Sequence, residues 1–549
     1  MGANATYNCM NVVVFVDHES LKPSFRFINP KFHRNALFLY NFSPSPLPAA
    51  VSPFPFSLSS SLSTQMEEER SISLLKFMAN EGLVPPLQEE EKRKNVLLNL
   101  KKIVVAWAKK VAWQRRLPKE LITATYATIL TYGSYGLGVH GQESDIDALC
   151  VGPYFATMAE DFFIVLRNML KSRPEVSDIY CIKDAKVPLM RFKFDGISVD
   201  LPYAQLQVLA VPDNVDVLNP FFLRNIDETS WKSLSGVRAN QQILQLVPDL
   251  ENFQSMLRCI KLWANRRGVY GNLNGFLGGV HLAILAAFVC QNHPNASVSA
   301  LITNFFTTFA MWPWPTPVVL QDGMSSLAGD FVETRSFMPI RLPCSPHEYC
   351  HSNITKSTYY KIRTEFLRGY RLTKDIVRPD FVWNSIFEPF PYSKTYNRFV
   401  KIHLSAPDQD TLGDWVGWVK SRFRCLLLKL EVMQDRCDPN PLEYVDMDVS
   451  EPNVIFYWGL NPTRRDFVDI ESVEEDFLRN LYSGCLGIHR KMELSIVRAI
   501  ELPKNVQFNG GSVKKTKAYW KAVDKRTPAF SQHLPDYFVG YLATNGDTK

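Results

Sequence analysis

Apolar residues recur at regular intervals along most of the chain after residue 65, and their spacing changes along the way. Over residues 71–117 they return every three or four positions, which predicts amphipathic helix. The spacing then shortens to a period of two. It predicts strands at residues 126–132, 146–151, 189–194 and 197–201, the last two joined as a hairpin about Asp195-Gly196, with a helix at 157–171.

The second half of the chain is helical at first and mixed afterwards. Residues 244–291 have helical periodicity, interrupted by a Gly-rich break at 268–279. Toward the C-terminus the pattern predicts strands at 399–404, 454–460 and 494–500, and helices at 412–430 and 473–482. This β-α-β-α-β order, with right-handed crossovers, predicts a small α+β sandwich.

Composition narrows the class of protein. The chain has 549 residues, of which 46% are hydrophobic and 21% charged, and this excludes collagen-like, coiled-coil and wholly disordered proteins. Its 61 basic and 55 acidic residues leave a net charge of +6, too small to indicate a partner. The longest apolar stretch, residues 276–290, is shorter than the roughly 20 residues that cross a bilayer. Cysteines without a CxxC pair predict neither a disulfide framework nor a structural metal site.

The first 65 residues differ from the rest. Residues 43–63 contain eight serines, five prolines and no charged residue, so burial cannot offset the entropy lost on ordering them. We predict a disordered extension. The alternatives are an organelle transit peptide, which is also Ser-rich and acid-poor, a myristoylated start at Gly2, and a working protein that begins at Met66.

The strongest chemical signal is the stretch Thr131-Tyr-Gly-Ser-Tyr-Gly-Leu-Gly-Val-His-Gly-Gln-Glu-Ser-Asp-Ile-Asp147. A Gly-Ser turn after a strand lets backbone N–H groups approach phosphate oxygens. Asp145 and Asp147 are two residues apart on a predicted strand, so both side chains point to one face. Adjacent carboxylates repel each other unless a cation lies between them, and oxygen ligands favour magnesium or manganese.

A third carboxylate, Asp200, lies on the second hairpin strand, on the side opposite Ile197, Val199 and Leu201. Three carboxylates on neighbouring strands beside a Gly-Ser turn predict a two-metal phosphoryl-transfer site. A lone Asp-x-Asp more often caps a turn or lies on a solvated face. The Gly-Ser turn, the inward Ile146 and the third acid together favour the metal site.

This combination resembles the nucleotidyltransferases of the DNA polymerase beta type. The longer string, Tyr-Gly-Ser-Tyr-Gly-Leu-Gly-Val-His followed by Ser-Asp-Ile-Asp-Ala-Leu-Cys-Val, resembles the nuclear (plant-like) poly(A) polymerases of eukaryotes. The resemblance covers about residues 71–503. It includes Leu257-Arg-Cys-Ile-Lys-Leu-Trp-Ala264, Gly268-Val-Tyr270, Gly275-Phe-Leu-Gly-Gly-Val280, Trp312-Pro-Trp-Pro-Thr-Pro-Val318, Ser405-Ala-Pro and Trp415-Val-Gly-Trp418.

The resemblance implies an α+β, multidomain fold. It consists of a polymerase-beta-type nucleotidyltransferase α/β domain, a helical central domain and an RRM-like C-terminal α+β sandwich. We place these at residues 66–220, 221–375 and 376–505, with helices of the N-terminal segment contributing to the central domain. The Ser/Pro-rich extension (1–65) precedes them and a basic tail (506–549) follows.

The resemblance also implies an activity, the addition of AMP from ATP to the 3′ end of RNA without a template, as in mRNA polyadenylation. Asp145, Asp147 and Asp200 match the family's catalytic carboxylates, which bind two Mg²⁺ or Mn²⁺ ions, and Asp200 would also help to deprotonate the RNA 3′-hydroxyl. The matches to its ATP-binding residues are Tyr132, Gly133, Ser134, Lys261, Tyr270, Gly279 and Val280. Taken alone, Lys261 would be an ordinary surface lysine and Tyr270 a core aromatic residue.

Three positions depart from the family's pattern. Ser235-Gly-Val-Arg238 replaces Asn-Gly-Cys-Arg, Asn265 replaces a lysine, and Gly141-Gln142 replaces Thr-Lys. These changes remove an amide, a charge and a polar contact near the nucleotide, so we expect an active enzyme with weaker affinity or selectivity for ATP. The alternatives are an RNA terminal uridylyltransferase and a weakly active RNA-binding relative.

The partners implied by the resemblance are an RNA 3′ end, ATP and the cleavage and polyadenylation machinery, with no membrane and a monomeric catalytic unit. The implied location is the nucleus. A cytoplasmic location is the alternative, because the chain ends soon after Lys514-Lys515, where the family often has a long basic tail. Four basic residues of the predicted helix at 412–430 would follow an RNA backbone or lie on a solvated face: Lys420, Arg422, Arg424 and Lys429.

Overall fold

The structure is a computed structural model of the chain. It describes residues 57–183, 185–321, 336–344, 348–376, 378, 380–434, 436–461, 469–482 and 490–503. Most of the predicted disordered extension therefore lies outside the described residues, but residues 57–65 are helical, so the prediction is wrong for these nine. The basic tail at 506–549 lies outside them altogether. Within the described ranges, no helix is long and apolar enough to cross a membrane.

Most helices and strands lie where the periodicity predicts them. The helices are α1 (Ser57–Asn80), α2 (Leu87–Gln114), α3 (Lys119–Ala124), α4 (Gly133–Gly136), α5 (Arg167–Lys171), α6 (Glu228–Leu246), α7 (Leu250–Arg266), α8 (Gly279–Asn292), α9 (Val298–Met311), α10 (Lys356–Thr373), α11 (Tyr392–Thr395), α12 (Gln409–Lys420), α13 (Phe423–Gln434) and α14 (Ile470–Tyr482). The strands are β1 (Thr128–Tyr132), β2 (Ile146–Gly152), β3 (Val176–Ile182), β4 (Leu189–Phe194), β5 (Ile197–Gln205), β6 (Arg398–Ser405), β7 (Cys437–Asp438), β8 (Asn453–Leu460) and β9 (Lys491–Arg498). A π-helical segment, Met158–Leu166, leads directly into α5.

The first sheet has the strand order β1-β2-β5-β4-β3. β2 and β5 are parallel, and the other neighbours are antiparallel. The predicted hairpin is confirmed: Asp195 and Gly196 at its turn have φ values of 48° and 78°, as a two-residue turn with the twist of the strands requires. The edge strand β3 was not predicted.

Alternate side chains of this sheet enter two different cores. Ile146, Ala148 and Cys150 of β2 pack with Val104 and Trp107 of α2. On the other face, residues including Leu149 and Val151 pack with Leu234 and Val237 of α6. α2 and α6 therefore cover opposite faces of the sheet, and Asp147 points to the α6 side because it alternates with Ile146 and Ala148.

The second sheet has the order β7-β8-β6-β9, and all of its pairs are antiparallel. Because all neighbours are antiparallel, β6 runs parallel to β7 and β8 runs parallel to β9, so each helical connection is a crossover between parallel strands; its right-handedness stays a prediction. With two such connections and the short β7, the chain follows the split β-α-β arrangement of ferredoxin-like folds. RNA-recognition domains also present a four-stranded sheet.

Both long helical predictions are interrupted in the structure. The stretch 71–117 breaks between α1 and α2, at Gly82 with φ 67° followed by two prolines. The predicted helix 412–430 is two helices, α12 and α13. The Ser421 hydroxyl donates to the carbonyl oxygen of Trp418, and the Arg422 guanidinium lies 3.4 Å from the Trp418 ring centroid and also donates to that carbonyl. These contacts replace the hydrogen bond that would continue the helix.

Between the sheets lies a helical core that includes residues of α7, α8, α9 and α10. Trp263 of α7 is fully buried there and stacks on Phe366 of α10, with ring centroids 5.5 Å apart. The amphipathic pattern of α7 directs its apolar residues into this core. Its polar residues, including Lys261, are left facing the first sheet.

Candidate active site

Four chemically active side chains form one row across the first sheet. The strand register pairs Tyr132 of β1 with Asp147 of β2, Asp147 with Asp200 of β5, and Asp200 with Arg191 of β4. Residues directly paired across a sheet point to the same face. Tyr132, Asp147, Asp200 and Arg191, which we call the charged row, therefore lie side by side.

The Gly-Ser turn lies directly against this row. β1 ends at Tyr132, and Gly133 has a φ of 62°. A Cβ atom at this position would lie 2.0 Å from Asp147 Oδ2, so no larger residue fits. Glycine thus serves two purposes here: it adopts a backbone conformation that other residues avoid, and it brings the turn into contact with the carboxylate.

A cavity of about 870 Å³ opens beside the charged row. Of the ten residues predicted for the site, nine line it; the exception is Asp200. The nine are Asp145, Asp147, Tyr132, Gly133, Ser134, Lys261, Tyr270, Gly279 and Val280. They come from the first sheet and from the helical core, and α7 and α8 supply the side opposite the carboxylates.

Asp200 is turned toward Arg191. Arg191 Nε donates to Asp200 Oδ1 and Arg191 Nη2 donates to Asp200 Oδ2, both at 2.7 Å. Within the part of the chain that the structure describes, no three His, Cys, Asp or Glu side chains are close enough together to hold a metal ion. Asp147 and Asp200 thus share one face of the sheet, Asp145 lies just before β2, and the metal triad stays a prediction.

Acidic side chains line one side of the cavity and basic side chains the other, and negative charge is in excess. Burial, followed by the nearby charges of Asp200 and Asp145, raises the pKa of Asp147 to about 6, against which Lys261 and Arg191 act. Burial lowers the pKa of Lys261, and the Asp147 charge opposes this shift. Burial and the same carboxylate raise the pKa values of Tyr132 and Tyr270.

This surplus of negative charge fits a divalent cation. Asp145 and Asp147 offer oxygen donors at the cavity, and Asp200 is the direct neighbour of Asp147 in the sheet. A cation here would offset the burial and the carboxylate repulsion that raise the pKa of Asp147, and carboxylate oxygens are the ligands that Mg²⁺ and Mn²⁺ favour. Asp200 would have to exchange its ion pair with Arg191 for such a contact.

The structure adds three residues that the sequence reasoning missed. Asn240 of α6 lines the cavity, and its Nδ2 donates to the carbonyl oxygen of Gly133 at 3.0 Å. Arg258 of α7 lines the cavity and donates to the carbonyl oxygen of Gly138. Arg191 completes the charged row. Helical periodicity leaves Asn240 and Arg258 as ordinary polar positions, so no sequence signal distinguishes them.

The positions that depart from the family's pattern differ in where they lie. Asn265 lines the cavity, and its amide donates to the Lys261 carbonyl oxygen at 2.8 Å. Gly141 also lines it. Ser235 does not; its hydroxyl donates to the Lys232 carbonyl oxygen within its own helix. Of the expected losses, only those at 265 and 141 alter the cavity wall directly.

The basic residues predicted to follow an RNA backbone near the second sheet are engaged within the protein. Lys420 pairs with Glu443, and Lys429 pairs with Asp476. Arg424 donates to the carbonyl oxygen of Ile354 at 3.2 Å, and Arg422 lies over Trp418. Their contacts stabilise the fold of this region.

Two family models match adjacent parts of the chain. The Poly(A) polymerase nucleotidyltransferase domain matches residues 55–247, which include the first sheet and the Gly-Ser turn. The Poly(A) polymerase central domain matches residues 252–389, which include α7 to α10. Together they contribute all the residues that line the cavity.

Individual proteins similar to this chain are also named poly(A) polymerases. Nuclear poly(A) polymerase 3 of Arabidopsis thaliana is 61% identical over 482 residues, which are 86% of this chain and 94% of that protein. Nuclear poly(A) polymerase 2 of the same plant is 39% identical over 71% of this chain and 50% of its own length. The Poly(A) polymerase of Dictyostelium discoideum is 40% identical over 63% of this chain and 43% of its own length. With 61% identity along nearly the whole of the first relative, the chain belongs to the poly(A) polymerase family.

Proposed function

We propose that this protein is a polynucleotide adenylyltransferase that adds AMP from ATP, without a template, to the 3′ end of RNA. The observation that carries the proposal is the placement of a Gly-Ser turn against Asp147, in the wall of a cavity that Lys261 also lines. Such a cavity can hold a triphosphate between backbone N–H groups and a cationic side chain, with the carboxylates at the reacting phosphorus.

Each side chain has a proposed role. Ser134 and the backbone N–H groups of the turn would bind phosphate oxygens, and Lys261 would bind them from the other side. Tyr270, Gly279 and Val280 would contact the nucleoside. This is supported by their position, since all three line the cavity.

Asp145, Asp147 and Asp200 would hold two divalent ions, Mg²⁺ or Mn²⁺. When bound, the ions would lower the pKa of the attacking 3′-hydroxyl and neutralise charge on the leaving pyrophosphate. Asp200, which lies between Asp147 and Arg191 in the charged row, would help to deprotonate the RNA 3′-hydroxyl once it leaves its ion pair with Arg191.

We also propose a nuclear location, a monomeric catalytic unit and the cleavage and polyadenylation machinery as partner. The first two relatives are named nuclear enzymes, which supports the location. An immunoprecipitation of the tagged protein from nuclear and cytoplasmic fractions tests both the location and the partner.

The activity is tested by extension of an oligo(A) primer by the purified chain, with ATP or UTP, in Mg²⁺ and in EDTA. We expect ATP-dependent, EDTA-sensitive extension that Asp145→Ala abolishes. Asp410→Ala, which removes an exposed carboxylate on α12, is the matched control and should extend normally. Equal extension by the wild type and Asp145→Ala would refute the proposed site. Preferential incorporation of UTP would replace the adenylyltransferase with a uridylyltransferase.

A further inference from the structure

The helix α2 and the turn after it carry an unusual concentration of positive charge. From Lys92 to Lys119 the chain has ten basic residues and no acidic one. They are Lys92, Arg93, Lys94, Lys101, Lys102, Lys109, Lys110, Arg115, Arg116 and Lys119. The net charge of +6 for the whole chain conceals this segment, which the proposed active site does not use.

Some of these charges have partners within the protein. Arg93 is buried and donates to the carbonyl oxygen of Gln142, Lys101 pairs with Asp213, and Arg115 pairs with Asp161 and Glu160. In contrast, no carboxylate of the described residues forms an ion pair with Lys102, Lys109, Lys110 or Arg116. All four side chains are exposed, and Arg116 lies just past the end of α2. They form an uncompensated basic surface.

An exposed tryptophan lies among them. The Trp113 side chain is 69% exposed, whereas Trp107, less than two turns earlier on the same helix, is fully buried and donates to the carbonyl oxygen of Asp161. Among the tryptophans that the structure describes, Trp113 alone is exposed. An indole left in water without a partner is a common feature of stacking surfaces.

These side chains are aligned along one side of the helix. At 3.6 residues per turn, Lys102, Lys109 and Lys110 fall within about 60° of Trp113, and Arg116 follows three residues later. The distance along the axis from Lys102 to Trp113 is about 16 Å at a rise of 1.5 Å per residue. We call Lys102, Lys109, Lys110, Trp113 and Arg116 the α2 stripe.

The α2 stripe is on the far side of the first sheet from the cavity. The inner face of α2 packs on Ile146 and Ala148, whose side chains point away from the charged row. The stripe is on the outer face of the same helix. A molecule bound there does not touch ATP, and it reaches the cavity only around the edge of the sheet.

We infer that the α2 stripe binds the upstream part of the RNA whose 3′ end enters the cavity. Phosphates contact the lysines and Arg116, and a base stacks on Trp113. Unpaired cations interleaved with an aromatic ring are the features that single-stranded nucleic acid requires. This inference rests on the proposed function, since that function supplies the RNA.

Charge favours RNA over a protein partner at this surface. The stripe offers cations and one aromatic ring without any acidic residue between Lys92 and Lys119, so a protein surface with mixed charges would leave its own lysines and arginines facing it. The basic residues near the second sheet do not compete for this role, because Lys420 and Lys429 already have acidic partners.

The test compares RNA binding by variants in EDTA, by fluorescence anisotropy, with oligo(A) of about 8 and about 40 nucleotides, lengths chosen around the usual site size of a single-strand binder. Lys109→Glu/Lys110→Glu should weaken binding of the long RNA about tenfold and reduce the slope of log K against log[salt] by about 1.4 or more, at 0.7 per phosphate contact. Trp113→Ala should weaken it about tenfold without changing that slope. Neither variant should change the affinity for the short RNA.

The matched control is Lys76→Glu/Lys374→Glu, which reverses two exposed lysines outside the stripe. If the control and the stripe variants lose the same affinity, or if polyglutamate of equal charge competes as well as RNA does, the inference is wrong. Extension of the short primer by the stripe variants distinguishes a failure of this inference from a failure of the proposed function. If the variants extend the primer normally and bind the long RNA as the wild type does, only the inference about the α2 stripe is wrong. If the wild type extends no primer, the proposed function is wrong.

Discussion

Two clusters of charged side chains lie inside this protein, and they are built differently. At the charged row and the cavity beside it, the charges of Asp145 and Asp200 act on Asp147, and the cations are Arg191, Lys261 and Arg258. The second cluster lies between the helical core and the second sheet, and there every charge has a partner. Its members are Arg267, Glu365, Lys361 and Asp438, and we call it the junction network.

The junction network is complete in its hydrogen bonds. Arg267 Nε and Nη2 donate to the two oxygens of Glu365 at 2.7 and 2.9 Å. Lys361 Nζ donates to Asp438 Oδ1 at 2.8 Å, and the Tyr396 hydroxyl donates to Asp438 Oδ2 at 2.7 Å. Lys361 belongs to α10 and Asp438 to β7, so this pair joins the two regions.

The contrast distinguishes charges that hold the fold from charges that perform chemistry. Burial raises the pKa of Asp438 and lowers that of Lys361, but each partner counters the shift of the other. At Asp147 the neighbouring carboxylates add to the effect of burial. A buried pair that is matched within the protein stabilises one arrangement, whereas a surplus of one sign leaves a position for a ligand of the other sign.

The largest expected effect follows from removing one of the negative charges at the cavity. Asp147→Asn should lower kcat for primer extension by at least about a thousandfold, because it removes a ligand and a charge at the reacting phosphorus. It should nevertheless raise the melting temperature in EDTA, since the repulsion from Asp145 and Asp200 is relieved. Primer extension and thermal unfolding measure the two. A variant that is both inactive and less stable would mean that Asp147 supports the fold.

The next largest effect is expected in the junction network, where removing one charge leaves its partner unpaired. Lys361→Met leaves Asp438 buried without its cation and should lower the free energy of unfolding by about 3–5 kcal/mol. At a temperature where the variant is folded, the kcat of primer extension should change little. Denaturant unfolding measures the loss, and Lys374→Met, at an exposed lysine, is the control.

A second variant tests the cause of that loss. Lys361→Met/Asp438→Asn removes both charges and keeps the acceptor for Tyr396, so it should recover much of the stability. If the double variant is no more stable than Lys361→Met, the cost comes from packing around Lys361 and the contrast with the charged row fails.

Asn240 tests how far the active site depends on an uncharged hydrogen bond to the Gly-Ser turn. Asn240→Ala removes the hydrogen bond to the Gly133 carbonyl oxygen and should lower kcat/KM about tenfold, corresponding to about 1.4 kcal/mol. The change should appear mainly in KM for ATP, because the turn is expected to bind phosphates. Asn240→Gln is the matched variant, which keeps the amide but displaces it. A purely structural role would lower stability and leave KM unchanged.

The sequence predicts the parts of this site that depend on local pattern. Alternation about Ile146 correctly put Asp147 on the face opposite that core residue, and Asp195-Gly196 correctly predicted the turn that puts Asp200 on the next strand. The parallel register of Asp147 and Asp200 then brings together residues 53 positions apart. The two-residue period of a strand gives the direction of each side chain, but the register of β2 against β5 depends on how these distant strands meet.

Other features depend on contacts that no local pattern contains. The strand β3 was missed because its alternation is broken at Asp178, which has a φ of 53° and lies where the register shifts. The pairing of Arg191 with Asp200 and the contact of Asn240 with the turn depend on how distant segments meet. The break between α12 and α13 depends on the contacts that the Ser421 and Arg422 side chains make with Trp418.

The pH dependence of stability sharpens the comparison further. The folded-state pKa of Asp147 is about 6, above its ordinary value of 3.8, so the folded state binds the proton more tightly than the unfolded state does. Stability is therefore highest below about pH 4 with respect to this group, falls as the pH rises, and levels off above pH 6. In EDTA, the wild type should lose about 1 kcal/mol between pH 5 and pH 7 relative to Asp147→Asn, which lacks the titrating group. Equal slopes for the two proteins would contradict the raised pKa.

The smallest expected effect comes from making the active site more like the junction network. Asn265→Lys adds a cation to the cavity wall one helical turn from Lys261, where the family usually has a lysine. It should lower KM for ATP severalfold, corresponding to less than about 1 kcal/mol, because the cavity already contains one lysine and remains open to solvent. Asn265→Gln, which adds length without charge, is the matched control. The gain should shrink as salt rises from 50 to 300 mM, since the added charge is screened. A gain that is insensitive to salt, or that Asn265→Gln reproduces, would show that the cavity responds to the size of the side chain, and that its shortage of positive charge does not limit ATP binding.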